Sequence, residues 1–157
     1  MSVLRIIACV CFTYFALASW SASAAGDVIV ERAWSRATIG NDGPGVVYMT
    51  VRNESGIGDF LLGAASPVAR SAEVHETRSD ADGMMSMVPV ATVAIPAHGQ
   101  ADFAPNGLHL MLVGLGKPLT LGQHFVVDLT FQHAGAIRVM VRVQKAGARG
   151  FDDAGGM

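Results

Sequence analysis

Three short stretches carry residue types for which a solvated surface has little use. In "NGLHLMLVGL" (106–115), Leu108, Leu110 and Leu112 alternate as the core face of a half-buried strand, which leaves His109 and Met111 together on the opposite face. In "GMMSM" (83–87), Met84, Met85 and Met87 crowd beside a glycine turn, and three flexible, oxidisable thioethers contribute nothing to a loop in water. In "EVHE" (73–76), His75 stands near the end of a strand-like run. Thioether and neutral imidazole together make a soft, uncharged donor set. Such a set selects Cu(I) over hard cations and holds it without forcing a change of oxidation state. A blue-copper electron-transfer centre would add a Cys thiolate, and zinc would draw on Cys, more His or carboxylates.

Other chemistries find little support. No G-x-S-x-G elbow, H-E-x-x-H pair or phosphate-cradling glycine loop is present, so no enzymatic activity is expected. Asp80 and Asp82 in "SDADG" lack the flanking ligands of a calcium loop and read as a turn. His98, His124 and His133 fall in turns or at strand ends, Met49 and Met140 fall in strand patterns of core type, and Trp34 ends a strand as a packing residue.

The elements that must position these side chains are strands. Ten runs alternate or are rich in β-branched residues: 28–34, 45–52, 59–66, 68–76, 84–88, 91–95, 100–104, 108–114, 125–132 and 136–144. Turn signals such as "GNDGPG", "NESGIG", "SDADG", "APNG" and "HAG" separate them. Only "VARSAEVHE" also fits a helical face. Ten short strands at this spacing predict an all-β, antiparallel sandwich or barrel.

The chain has 157 residues, one domain's worth, and its start is not part of that domain. A basic lead ending at Arg5, the apolar run "IIACVCFTYFALASW" and the small-residue site Ala22-Ser23-Ala24 describe a secretory signal peptide over residues 1–24. Cys9 follows too short an apolar run to serve as a lipid acceptor. Both cysteines leave with the leader, so the mature protein has neither disulfide nor thiolate ligand. Arg5 leaves too, so ten basic residues face thirteen acidic ones and the net charge is −3, against −2 for the full chain. No basic patch suggests nucleic acid, and no later segment suggests a membrane span. The globular domain is expected over 27–144, with a glycine-rich, flexible C-terminal tail over 145–157.

The sequence resembles the PCuAC family of periplasmic copper chaperones, whose pattern is His-x10-Met-x21-His-x-Met. Met87, His109 and Met111 match its second part, since residues 88–108 are the twenty-one between; eleven residues rather than ten follow His75. "AWSRAT", "MVPV", "IPAHG", "LHLMLVGL", "KPLTLGQ" and "VVDLTFQHAG" extend the likeness over about 27–144. The resemblance implies a cupredoxin-like β-sandwich without a cupredoxin's thiolate. It implies Cu(I) held by His75, Met87, His109 and Met111 in a periplasmic monomer. It also implies delivery of copper to cytochrome oxidase assembly, with a CuA subunit or a Sco-type protein as recipient. Two other readings stand beside it: a metal-free structural or adhesive secreted β-domain, and a copper-dependent redox protein.

Overall fold

The structure is a computed structural model that describes residues 27–40 and 43–152; the expected signal peptide lies outside them. All ten expected strands form, and among the described residues there is no helix. They are β1 (Val28–Arg36), β2 (Gly45–Asn53), β3 (Asp59–Ala65), β4 (Ala69–Ser79), β5 (Met85–Pro89), β6 (Val93–Ile95), β7 (Gln100–Phe103), β8 (Leu108–Leu115), β9 (His124–Phe131) and β10 (Ala136–Gln144). "VARSAEVHE", the one ambiguous run, is strand β4, and it gains ladders on both sides, to β5 and β8.

The sandwich expectation needs correction. The strands form one sheet in the order β5-β4-β8-β7-β2-β1-β10-β9-β3-β6, and β3 also pairs with β4 through Ala64 and Ala72. That contact closes eight strands into a barrel, with β5 and β6 attached outside the ring. The expected purely antiparallel pairing is corrected as well: β1–β10 and β7–β8 are parallel. Closure pairs the edges of the ring strands, leaving outer edges only on β5 and β6 among the described strands, and fills the interior with one face of each ring strand.

Alternation decides what fills it. Val47, Met49 and Val51 of β2, Leu110 and Leu112 of β8, Val127 and Leu129 of β9, and Val139, Val141 and Val143 of β10 point inward and are buried. Met49 is therefore core as expected, but Met140 is not. It lies between Val139 and Val141 on the outer face and is 59% exposed.

Trp34 packs as expected, but on the outer face of the barrel rather than in its interior. A bulge between Glu31 and Trp34, with Arg32 at φ 53°, shifts the phase of β1. Ala33 and Ser35 then turn inward and Trp34 turns out, where it meets Tyr48 at a ring separation of 4.6 Å. Ala148 and Phe151 complete this second apolar cluster. The expected flexible tail is thus part of the domain as far as residue 152. Arg36 Nε donates to Ala148 O at 2.8 Å, and the Gln144 side-chain amide, oriented by its partners, meets Gly150 O and Asp152 N.

Candidate metal centre

The outer face of β4, β5 and β8 collects the soft side chains. In the β4–β8 ladder His75 stands directly opposite His109, and Glu73 stands opposite Met111. In the β4–β5 ladder Met87 pairs with Thr77 and Met85 with Ser79. Directly paired residues share a face, and so do residues two apart on one strand. His75, His109, Met111, Met87 and Met85 therefore project to the same side, and the inward leucines of β8 project to the other. Strand β4 lies between its two neighbours, so β5 and β8 are two strand spacings apart, about 9.6 Å. A long thioether spans part of that gap where a shorter side chain would not.

The β4–β5 hairpin that presents the methionines is closed by Asp80. Its amide donates to Met84 O, while its Oδ1 accepts from the amides of Asp82 and Met84 at 3.0 and 2.8 Å. Gly83, at φ 78°, supplies the left-handed residue this turn needs.

The two imidazoles are set by hydrogen bonds. His109 Nδ1 lies 3.0 Å from Gly107 O, a group that only accepts, so in the neutral ring the proton is on Nδ1 and the lone pair on Nε2. His75 Nε2 lies 3.3 Å from Glu73 Oε2, which likewise places the proton on Nε2 of the neutral ring. The remaining nitrogens, His75 Nδ1 and His109 Nε2, are buried without a hydrogen-bond partner. Unpartnered buried ring nitrogens cost free energy unless something binds them. The rings stand 6.1 Å apart at 44°, a separation that two metal–imidazole bonds of about 2.0 Å can bridge.

His109 is less accessible than its place opposite the leucines suggests. It is 3% exposed, in the wall of a cleft of about 830 Å³ that also takes in Tyr48, Met85 and Met87. Met111 is half-buried, whereas Met85 and Met87 are 61% and 60% exposed. Met84, in the turn, does not line the cleft, and neither do His98, His124 and His133. Among the described residues no three His, Cys, Asp or Glu side chains cluster as a metal site, so any site here depends on thioether sulfur.

Sequence reasoning missed Glu73, Gly107 and Tyr48. Glu73 was visible two residues before His75 on the same strand face. Gly107 was visible at the same offset before His109. Tyr48 carries no such signal, because it reaches the cleft from a different strand. Its hydroxyl pKa is raised by burial, against a smaller opposing effect of the Arg36 charge.

Comparison with known proteins places the chain among relatives. A family model described as "Putative lipoprotein LpqE-like" matches residues 28–143. A relative in Leifsonia xyli subsp. xyli, named "Putative lipoprotein Lxx21020", is 32% identical over 120 residues, which are 76% of this chain and 71% of that one. Among solved structures, the copper-bound PCuAC domain from PmoF2 superposes with a TM-score of 0.64 at 25% identity, covering 76% of this chain and 94% of that domain. The Cu(I) form of DR1885 from Deinococcus radiodurans superposes at 0.58 with 30% identity, covering 76% of this chain and 79% of that one.

Proposed function

This chain belongs to the LpqE-like family, a family of PCuAC-type lipoproteins, and from that premise we propose that it is an extracytoplasmic copper chaperone. It binds one Cu(I) through His75, Met87, His109 and Met111. The observation that carries the proposal is the facing pair of imidazoles, each with one deprotonated, unpartnered nitrogen. Gly107 and Glu73 hold the opposite nitrogens in the protonated form, which is how a metal-ligating histidine is usually oriented. Met87 and Met111 add soft neutral sulfur on the same face, and the PmoF2 domain and DR1885 structures compared above are copper-bound forms.

Exposure of the thioethers suits delivery. Met87 lies on a strand outside the barrel ring, so an acceptor reaches it without opening the core. The acceptor we propose is a cytochrome oxidase CuA subunit or a Sco-type protein. A metal-free structural domain would leave two buried nitrogens unsatisfied, and a redox centre of blue-copper type would need a thiolate that the described residues lack.

The relatives named as lipoproteins support an address outside the cytoplasm. We propose cleavage after Ala24 or Ala25 and a periplasmic product; a diacylated species retaining Cys9 in an intact-mass measurement would contradict that. The function itself is tested by competition between the mature protein and a chromophoric Cu(I) chelator. Uptake of one equivalent, weakened in His75→Ala, is expected. No uptake, or uptake that His75→Ala leaves unchanged, would contradict it.

A further inference from the structure

The cleft that contains His109, Met85 and Met87 is also lined by two arginines, Arg36 and Arg149. Neither position follows from simple alternation along a strand. The bulge at Arg32 turns Trp34 and Arg36 to the outer face beside Tyr48, and the packed segment after β10 brings Arg149 alongside.

Arg36 is held in place. Its Nε donates to Ala148 O at 2.8 Å, and its guanidinium lies 5.5 Å from the centre of the Tyr48 ring. These contacts fix the plane of the fork and occupy Nε, so both terminal amino groups remain for another acceptor. Among the described residues no carboxylate pairs with Arg36 or Arg149; the ion pairs of Arg52, Arg78 and Arg138 lie elsewhere. The same short segment thus orients one cation through Ala148 and supplies the next through Arg149.

We propose that Arg36 and Arg149 form an anion subsite in this cleft, and that it takes the carboxylate of a small copper-bearing chelate. A planar guanidinium with two free amino groups matches a carboxylate in a forked pair of hydrogen bonds. The cleft volume, about 830 Å³, falls in the range of small-molecule sites. Anchoring a chelate by its carboxylate raises the local concentration of its metal beside the thioethers, and exchange becomes an intramolecular step. The subsite rests on the two arginines alone; that its ligand carries copper rests on the function proposed above.

Citrate is the probe, followed by amide chemical-shift titration of the copper-free mature protein. Saturable binding is expected, with shifts at Tyr48, Asn106 and Arg149. Replacement of the exposed Arg149 by Gln should weaken it roughly fivefold, as loss of one solvent-accessible ion pair does. Arg149→Lys should retain most of the binding. Arg36→Gln should abolish it, with the Trp34–Tyr48 near-ultraviolet dichroism as the check on folding. Equal citrate affinity in the parent and Arg149→Gln would overturn the subsite whatever Arg36→Gln does. Preference for a blocked tri-glutamate peptide over citrate would overturn the small-chelate assignment in favour of an acidic protein segment. A Cu(I) titration on the same samples separates the two ideas. Arginine-dependent citrate binding without Cu(I) uptake would remove the copper carrier and keep the anion subsite, and the reverse pattern would remove the subsite alone.

Discussion

His75 and His109 face each other across the β4–β8 ladder with ring centres 6.1 Å apart, and each ring keeps its proton on the nitrogen that another group already holds. The free lone pairs are therefore a consequence of backbone register plus two acceptors, Glu73 and the Gly107 carbonyl. The proposed centre is preorganised to that extent before any ion arrives.

Glu73→Gln tests the orienting role. An amide can present either end to the ring, so the His75 tautomer is no longer fixed. Cu(I) affinity should fall by about tenfold, in the range seen for loss of a ligand-orienting partner. Thermal stability should hardly change, because Glu73 is exposed. Competition titration and a melting curve measure the two; unchanged affinity would make the Glu73 contact incidental.

Met87 is the thioether we assign from the hairpin, and the comparison with its neighbours is direct. Counting ten intervening residues from His75 lands on Ser86, a poor Cu(I) ligand, whereas twenty-one back from His109 lands on Met87. The Asp80–Met84 turn can accommodate an additional residue at small cost, whereas a slip within β5 would flip Met87 to the other face. Met87→Leu should lower Cu(I) affinity, and Met84→Leu should leave it as in the parent. A larger loss in Met85→Leu than in Met87→Leu would move the ligand two residues upstream.

The core should be sensitive where the barrel interior is full and indifferent outside it. Leu110, fully buried on β8, should lose about 2–5 kcal/mol of stability on replacement by Ala. Met140→Ala, on the outer face of β10, should stay within about 0.5 kcal/mol of the parent. Chemical denaturation of the copper-free protein measures both.

Asp59 predicts a pH dependence. Burial acts to raise its carboxyl pKa, yet the amides of Phe60, His133 and Ala134 donate to it at 2.7, 2.9 and 2.8 Å, and the balance lowers it below the ordinary value. A folded pKa below the unfolded one gives stability that is present above about pH 4 and is lost as pH falls through the folded value. Asp59→Asn sets an NH2 group against N–H donors and should cost about 2–4 kcal/mol near neutrality. The gap between parent and variant should narrow in denaturation curves as pH falls from about 4 through the lowered folded pKa of the parent carboxyl, which then also becomes neutral. A gap independent of pH would assign the loss to packing.

Much of this was legible in the sequence because strands announce themselves by alternation. All ten strands were found, and the three inward leucines of β8 were placed correctly, with Leu110 and Leu112 fully buried. Alternation says which residues share a face but not how strands close on one another. The Ala64–Ala72 contact that makes a barrel, and the parallel pairing of β1 with β10, depend on residues far apart in the chain. That Trp34 packs on the outer face was not legible, because a bulge changes the phase of a strand without changing its composition. The packing of the tail was missed for a related reason. "KAGARGFDD" looks solvated, and only the aromatic pair Trp34–Tyr48, assembled from two strands, gives Ala148 and Phe151 something to cover. Residue type singled out His75, His109, Met111 and the GMMSM methionines, and only the resemblance to the PCuAC pattern picked Met87 among the last, whereas the groups that orient the rings became visible only in three dimensions.

The most direct measurement on the proposed centre is X-ray absorption at the copper edge of the protein loaded with one equivalent of Cu(I). The expected result is a Cu(I) edge with a mixed shell of imidazole nitrogen and thioether sulfur, in which the sulfur contribution shrinks in Met87→Leu and again in Met87→Leu/Met111→Leu. A shell of nitrogen and oxygen alone, or sulfur scattering untouched by both substitutions, would contradict it.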